Sequence, residues 1–287
     1  MCLYNKIVLA LDLSDEQKNI LKRSYETLAS SASGLKLFVT AYFGELRDNL
    51  DLFMKLPVAA LHIDAVRGPS ELDQILSKLP KDKLLSLGVV DGRNIWKNDF
   101  EASMSLLEKA KKAIGEDRLI ASPSCSLIHT PVTLKNETKL DDELKNWLAF
   151  SEEKLEEVVT LAKLVSGKAD HVLLATNAKA LSSRRKSTRI HNRAVKDRCA
   201  AVREADLKRK SSFPAREKVQ REKIKLPSFP TTTIGSFPQT KEVRQARARH
   251  KKGELSVDAY EAFLKSEIKK TIEIQNEIGI DMLVHGE

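Results

Sequence analysis

The chain has 287 residues, of which 31% are charged, and a formal net charge of +9. Such a length can hold one large domain or two medium ones, with enough material for a hydrophobic core. No apolar run approaches the roughly 18 residues of a membrane span, and the first residues lack the basic and apolar regions of a secretory signal. These features argue against a membrane or secreted protein, and we predict a cytoplasmic location.

The positive charge is concentrated in residues 182–225, which contain sixteen basic and five acidic side chains. That segment alone carries more positive charge than the whole chain, so the rest of the surface is slightly acidic. We interpret it as surface helix and connector between two domains. A nucleic-acid-binding or other basic interaction module is the alternative, because basic side chains bind phosphates. Phe213 is the only aromatic residue there that could stack on a base, which disfavours that alternative.

Three cysteines are scattered along the sequence, namely Cys2, Cys125 and Cys199. None belongs to a C-x-x-C pair, and three are too few for a disulfide framework. We therefore expect a reducing compartment.

The first half of the chain alternates apolar runs of strand length with amphipathic segments. Strands are predicted at residues 6–12, 35–41, 59–64, 84–90 and 119–122. Helices are predicted at residues 14–29, 46–56 and 100–114 and from residue 70, the first beginning with a capping box at Ser14. This alternation predicts an α/β fold with a parallel sheet. Five strands fit an open doubly wound sheet or part of a barrel, and no glycine-rich fingerprint follows the first strand, which disfavours dinucleotide binding.

The second half is predicted to be largely helical. One long helix is predicted at residues 140–164 and another at 169–181, before the basic segment. After two prolines, a strand is predicted at 231–234, then helices capped by Thr240 and Ser256, the second ending at Gly279. A second short strand is predicted at 280–284, directly before His285.

Two parts of this last region could together bind a free amino acid. Backbone N–H groups of Ile234, Gly235 and Ser236 could hold the α-carboxylate, because a glycine lets the chain approach a ligand closely. Glu287 could hold the α-ammonium group. An ordinary strand-end turn with an unrelated loop glutamate is the other interpretation of the same pattern.

Several motifs resemble a known family over essentially the whole chain. They are LPSFPTTTIGSFPQT (226–240), KKG (251–253), DMLVHGE (281–287), TAYF (40–43), LHID (61–64), DGRNIW (91–96), SCSLIH (124–129) and STRIHN (187–192). Together they resemble the cobalamin-independent methionine synthases. The resemblance implies two face-to-face (βα)₈ TIM barrels and a methyltransferase that moves a methyl group from 5-methyltetrahydropteroyl-polyglutamate to homocysteine, in methionine biosynthesis.

The same resemblance implies how this chain would be divided. Residues 1–165 would be the carboxyl-terminal part of the amino-terminal barrel, 166–226 a basic helical connector, and 227–287 the beginning of the catalytic barrel. An incomplete barrel portion, a connector and the first βα units of a second barrel are therefore expected, as in an internal piece of a longer protein.

The resemblance also assigns residues and a metal. Ile234, Gly235, Ser236 and Glu287 match the family's site for homocysteine or methionine. Zinc, and no cobalamin, is the implied cofactor. The family's zinc ligands and proton donor would lie beyond residue 287, so no catalytic residue and no metal ligand are expected here, and the chain alone should neither transfer methyl groups nor retain zinc.

Three further side chains have two interpretations each. Cys125 could be a metal ligand at a strand end, but an inert buried thiol is favoured because no partner stands at ligand spacing. His62, within an apolar strand, is interpreted as a hydrogen-bonded core histidine rather than a catalyst. His285 could shape the pocket beside Glu287.

Overall fold

The computed structural model describes residues 2–5, 7–32, 34–168 and 170–285, and for residues 2–5 and 7 it describes the backbone alone. The chain divides into two compact units, Met1–Lys196 and Asp197–Glu287, here called unit 1 and unit 2. The division falls inside the predicted basic connector.

Unit 1 is built on a sheet of five parallel strands that lie side by side in chain order. The strands are β1 (Cys2–Asn5), β2 (Leu37–Thr40), β3 (Ala60–Asp64), β4 (Leu84–Val90) and β5 (Leu119–Pro123). Their order never reverses within the described residues, whereas a doubly wound sheet reverses at a switch point. The predicted α/β class with a parallel sheet is confirmed.

Helices follow most of the strands. In unit 1 they are α1 (Asp15–Ser31), α2 (Leu50–Lys55), α3 (Leu72–Lys78), α4 (Phe100–Ile114), α5 (Asp142–Trp147), α6 (Ser151–Val165) and α7 (His171–Lys186). The helix α8 (Arg193–Ala200) spans the division, and unit 2 contains α9 (Phe213–Ile224), α10 (Lys241–Lys251) and α11 (Val257–Glu277).

The core of unit 1 lies between the sheet and these helices. Leu61, Leu85 and Leu87 on the strands are fully buried, as are Leu107 on α4 and Leu161 on α6. Each such burial stabilises the fold by about 1.5–3 kcal/mol relative to exposure. The sheet and α4 are therefore the rigid frame on which the ends of the strands are placed.

The predicted first strand at residues 6–12 is wrong. The strand that pairs with β2 is Cys2–Asn5, and Ile7–Ala10 forms a short 3₁₀ helix. The side-chain amide of Asn49 donates to the carbonyl oxygens of Leu9 and Leu11 at 2.9 and 2.7 Å. Leu9 is fully buried, whereas Val8 and Leu11 are exposed, so this segment is a turn held from outside the sheet, which an apolar pattern alone does not distinguish from a strand.

The single helix predicted at residues 140–164 is also wrong, because the chain is extended between α5 and α6. Leu148 forms an antiparallel bridge with Trp96. The Ala149 N–H donates to the Ile95 carbonyl at 2.9 Å, and the Trp147 carbonyl accepts from the Lys97 N–H at 2.9 Å. These tertiary hydrogen bonds outweigh the helical periodicity of the sequence.

Unit 2 contains its predicted helices but not its predicted strands. Thr240 caps α10, Ser256 caps α11, and Gly279 follows α11 at a φ of 77°. Residues 231–234 and 280–284 meet in one parallel bridge, between Thr232 and Met282, instead of two strands. Two short segments without further neighbours among the described residues are too small to form a stable ladder.

Candidate functional site

The predicted turn at Ile234, Gly235 and Ser236 lies open on the surface of unit 2. The side chains of Ile234 and Ser236 are exposed. A Cβ added at Gly235 would have no described atom within 4 Å. The three residues therefore present their backbone to solvent, where a small ligand can reach it.

Glu287, the predicted partner of the amino group, lies outside the described residues, so its place beside the turn stays a prediction. The chain leading to it is described as far as His285, whose side chain is exposed. That His285 shapes the pocket likewise stays a prediction.

An aspartate joins the two segments that lead into this site. The Asp281 Oδ2 accepts hydrogen bonds from the Thr231 N–H and the Thr231 hydroxyl, both at 2.8 Å. The Met282 N–H also donates to the Thr231 carbonyl at 2.9 Å. These hydrogen bonds, the backbone one first, lower the pKa of Asp281. Residue 231, three positions before Ile234, is thus fixed beside residues 281 and 282.

A buried glutamine holds the second segment. Gln275 on α11 is 1% exposed, and its side chain bonds both backbone groups of Val284. No role for Gln275 was predicted from the sequence. A polar residue at an inward position was the available signal, but its partner could not be identified without the structure.

In unit 1, His62 is the centre of a hydrogen-bonded group inside the sheet. Its Nε2–H donates to the Ser124 carbonyl at 3.1 Å. Its Nδ1 lies 3.0 Å from the Ser86 hydroxyl and 3.2 Å from the Ser122 hydroxyl, so it accepts. Burial lowers the pKa of His62, which keeps the ring neutral. The interpretation as a hydrogen-bonded core histidine is confirmed.

Cys125 follows β5 and is buried against Gly92, where an added Cβ would lie 2.9 Å from Sγ. Burial is the largest cause of the raised pKa of its thiol, which disfavours the thiolate that binds metals. In the part of the chain that the structure describes, no three His, Cys, Asp or Glu side chains form a group that could hold a metal ion. The described residues around Cys125 therefore do not form a zinc site, and Cys125 is confirmed as a buried thiol.

Asp64, at the end of β3, organises the loops above the sheet. Its carboxylate accepts from the backbone N–H groups of Phe43, Val66 and Arg67 at 3.0–3.1 Å. Phe43 takes a φ of 78°, which is rare for a residue with a side chain. Arg67 forms two hydrogen bonds with Asp91 at 3.0 and 3.4 Å, which joins the loops after β3 and β4. Sequence reasoning quoted both acidic motifs but assigned no role to either aspartate.

The start of the basic segment contacts other residues of unit 1. The Arg184 guanidinium lies 4.1 Å from the centre of the Trp96 ring, and Arg185 pairs with Asp99 at 2.9 Å. Arg189 bonds Asp141, which lowers the pKa of that carboxyl to about 2. Basic side chains that are paired in this way are less available to bind phosphates.

None of the helices among the described residues is long and apolar enough to cross a membrane.

Two family models match the chain. The model described as "Cobalamin-independent synthase, N-terminal domain" matches residues 4–115, and "Cobalamin-independent synthase, Catalytic domain" matches residues 229–287. Ile234, Gly235, Ser236 and Glu287 all fall within the second match.

The chain is also similar to curated proteins. It is 49% identical over 281 residues to a protein of Nitrobacter winogradskyi, and this alignment covers 97% of the chain and 36% of the relative. It is 46% identical over 280 residues to a protein of Saccharomyces cerevisiae, over 98% of the chain and 36% of that relative. Both are named "5-methyltetrahydropteroyltriglutamate--homocysteine methyltransferase".

The chain thus spans 36% of the length of these relatives. The similarity covers almost all of the chain and includes parts of two successive domains. It gives no support to the alternative of a basic nucleic-acid-binding module. The chain belongs to the family of cobalamin-independent synthases, as its motifs predict.

Proposed function

We propose that this chain serves in the transfer of a methyl group from 5-methyltetrahydropteroyl-polyglutamate to the sulfur of homocysteine, which yields methionine. The observation that carries the proposal is 46–49% identity, over 97% or more of the chain, to relatives named as homocysteine methyltransferases. The match of residues 229–287 to a catalytic domain supports it.

In this proposal the chain holds the head group of homocysteine. The backbone N–H groups of Ile234, Gly235 and Ser236 bind the α-carboxylate, and the carboxylate of Glu287 binds the α-ammonium group. The open backbone at Gly235 supports the first role, since a ligand can approach it without a steric clash. A carboxylate paired with an ammonium group gives a charge-assisted hydrogen bond, which is stronger than a neutral one.

The fold is proposed to be part of a two-barrel protein. Residues 1–165 would be part of a first (βα)₈ barrel, 166–226 the connector, and 227–287 the start of the catalytic barrel. Five parallel strands in unbroken chain order support the first assignment, because a barrel adds its strands in that order. Active sites of such barrels lie at the carboxyl ends of the strands, where Ile234 and Glu287 were predicted.

Zinc and a cytoplasmic location are proposed from the family alone. Bound zinc favours the thiolate form of a thiol, which is the nucleophilic form at neutral pH. The described residues do not supply a zinc site.

A chimaeric enzyme tests the proposal. The segment of the S. cerevisiae relative that aligns with this chain is replaced by this chain, in a yeast strain that lacks the relative and requires methionine. We expect growth without methionine from the chimaera, and none after Glu287→Gln or Gly235→Asp. Asp at position 235 would repel the α-carboxylate, whereas Lys223→Gln in the basic segment should leave growth unchanged.

The proposal fails if the chimaera accumulates as soluble protein without supporting growth. It also fails if the Glu287→Gln and Gly235→Asp chimaeras grow as well as their parent.

A further inference from the structure

Three loops at the carboxyl ends of the unit 1 strands bring one side chain each to a common place. Phe43 follows β2, Arg93 follows β4 and His129 follows β5. The Arg93 guanidinium lies over the Phe43 ring, 4.5 Å from its centre, and the centre of the His129 ring lies 5.5 Å from the same point. Residues from distant parts of the sequence thus form one group, here called the Arg93 cluster.

Each member of the Arg93 cluster belongs to a sequence motif that the proposed function does not use. Phe43 ends the motif TAYF, Arg93 lies in DGRNIW and His129 ends SCSLIH. A fourth motif, LHID, supplies Asp64, which holds the backbone of Phe43. Four motifs of unit 1 therefore meet around side chains that have no assigned role.

Two carboxylates fix the backbone of the Arg93 cluster. The Phe43 N–H donates to the buried carboxylate of Asp64 at 3.1 Å, and the φ of Phe43 is 78°. The Arg93 N–H donates to Asp91 Oδ1 at 2.8 Å. A positive φ is rare for a residue with a side chain and persists only where its surroundings hold it. The contact between the Phe43 ring and Arg93 thus rests on a fixed backbone.

The Arg93 guanidinium has no hydrogen-bond acceptor among the residues that the structure describes. The carboxylate of Asp91 already accepts from the Arg67 guanidinium, the Arg93 N–H and the Asn94 side chain. The side chains of Arg93 and His129 are both exposed. A guanidinium that lies over an aromatic ring keeps the N–H donors at its edge available. The Arg93 cluster therefore offers several donors and a positive charge to a ligand.

We propose that the Arg93 cluster is a binding site for an oxyanion, a carboxylate or a phosphate. The Arg93 guanidinium and the His129 ring donate hydrogen bonds to it, and Phe43 is a positioning residue that holds the guanidinium. The planar fork of arginine matches two oxygens of a carboxylate or a phosphate. Ligands of parallel α/β folds bind at the carboxyl ends of the strands, where these loops lie. The inference goes beyond the proposed methyl transfer and does not depend on it.

Titration of the full 287-residue chain with inorganic phosphate and with acetate tests the site. Ionic strength is held constant, because salt screens the charge of an exposed arginine. The NMR signals of the His129 ring and the Arg93 Nε–H report binding. We expect both signals to move and to saturate, with a dissociation constant of about 1–10 mM, as for a few charge-assisted hydrogen bonds on an exposed surface. The anion that binds more tightly identifies the class of ligand.

Substitutions at position 93 separate the guanidinium fork from its charge. Arg93→Gln should weaken binding about tenfold, because it removes both. Arg93→Lys keeps the charge but loses the fork and should weaken binding about threefold. Arg23→Gln, at an exposed arginine of α1, is the matched control and should leave binding unchanged.

Substitutions at position 43 test the positioning role. Phe43→Leu keeps an apolar side chain but removes the ring, so binding should weaken about two- to fivefold, as for the loss of a cation–π contact at an exposed site. Phe43→Tyr keeps the ring and should bind as the wild type does. If Phe43→Leu does not fold, Phe43→Asn decides, because asparagine tolerates a positive φ and also lacks the ring.

The site is refuted if neither anion gives saturable shifts in the wild type, or if Arg93→Gln binds as tightly as the wild type. Equal binding by Arg93→Lys would show that charge alone attracts the anion, which overturns the role of the fork. Equal binding by the folded variant without the ring at position 43 overturns the positioning role of Phe43.

Discussion

Two glycines in the two units show how differently similar sequence patterns are used. Gly88 lies within β4, between two other strands, and a Cβ there would lie 2.6 Å from the Ser124 Cα and 2.8 Å from the Ile63 carbonyl oxygen. Gly235 follows a predicted strand at residues 231–234, just as Gly88 lies in a predicted strand at 84–90, but nothing described lies within 4 Å of the Cβ position of Gly235. Backbone groups in β4 are bonded to neighbouring strands, whereas those at residues 234–236 are open to solvent. A strand-like pattern thus becomes a strand only where other strands supply partners.

The largest expected effect is a difference between alanine substitutions at these two positions. Gly88→Ala should lower the free energy of unfolding by about 3 kcal/mol or more, because backbone atoms on both sides must shift. Gly235→Ala should change it by less than about 0.5 kcal/mol, as exposed substitutions usually do. Chemical denaturation of both variants measures the difference. An equal loss of stability in the Gly88→Ala and Gly235→Ala variants would show that the two glycines lie in similar environments.

A buried carboxyl should give unit 1 a pH dependence of stability. Glu157 on α6 is 6% exposed and its Oε1 accepts from the Asn98 N–H at 2.8 Å. Burial raises the pKa of Glu157 from 4.5 to about 7, although Lys154 and Lys97 oppose the shift and Glu153 adds to it. The folded chain therefore binds the proton more tightly than the unfolded chain. Stability is highest below pH 4.5 as far as this group is concerned, and falls by about 2–3 kcal/mol as the pH rises through 7.

Glu157→Gln imitates the protonated form and should remove that fall. Thermal unfolding between pH 5 and pH 8.5 measures it. The neighbouring Glu156→Gln is the matched control, since Glu156 is exposed and should leave the pH dependence in place. A wild type whose stability does not fall over this range would refute the assignment.

Removing a helix cap should destabilise a helix by the same amount in both units, because a cap interacts only with the first turn of its own helix. The Ser14 hydroxyl accepts from the Gln17 N–H, and the Ser256 hydroxyl accepts from the Ala259 N–H at 3.2 Å. Ser14→Ala and Ser256→Ala should each destabilise their own helix by about 1 kcal/mol. Hydrogen exchange in α1 and α11 measures each effect. A much larger loss at one cap would mean that the helix depends on contacts beyond its own turn.

Local signals explain which parts of the fold could be predicted. The caps at Ser14, Thr240 and Ser256 depend on residues three positions away, and all three were predicted. The first strand and the break between α5 and α6 were missed because distant groups decide them: Asn49 bonds Leu9 and Leu11, and residues 95–97 bond residues 147–149. An apolar pattern does not contain that information.

The candidate site likewise contains residues that were predicted from local sequence and residues that were missed. Ile234, Gly235 and Ser236 were predicted from a short motif, and the structure places them together on an open surface. The roles of Asp64 and Gln275 were missed, since each bonds backbone groups that the sequence does not pair with it. Glu157 was missed for the same reason, because its partner Asn98 lies 59 positions earlier in the chain.

Homocysteine binding to the wild-type chain tests the proposed site most directly. We expect homocysteine to shift the amide NMR signals of Gly235 and Ser236 with a dissociation constant of about 1 mM, which corresponds to about 4 kcal/mol and to a few charge-assisted hydrogen bonds. The same shifts should require about ten times more homocysteine in Glu287→Gln, which keeps the carboxylate-binding turn but loses the charged partner of the amino group. They should not be produced by n-butylamine, which lacks the carboxylate. Unmoved signals at saturating homocysteine, or equal binding by Glu287→Gln, would contradict the assignment of Ile234, Gly235, Ser236 and Glu287 as the head-group site.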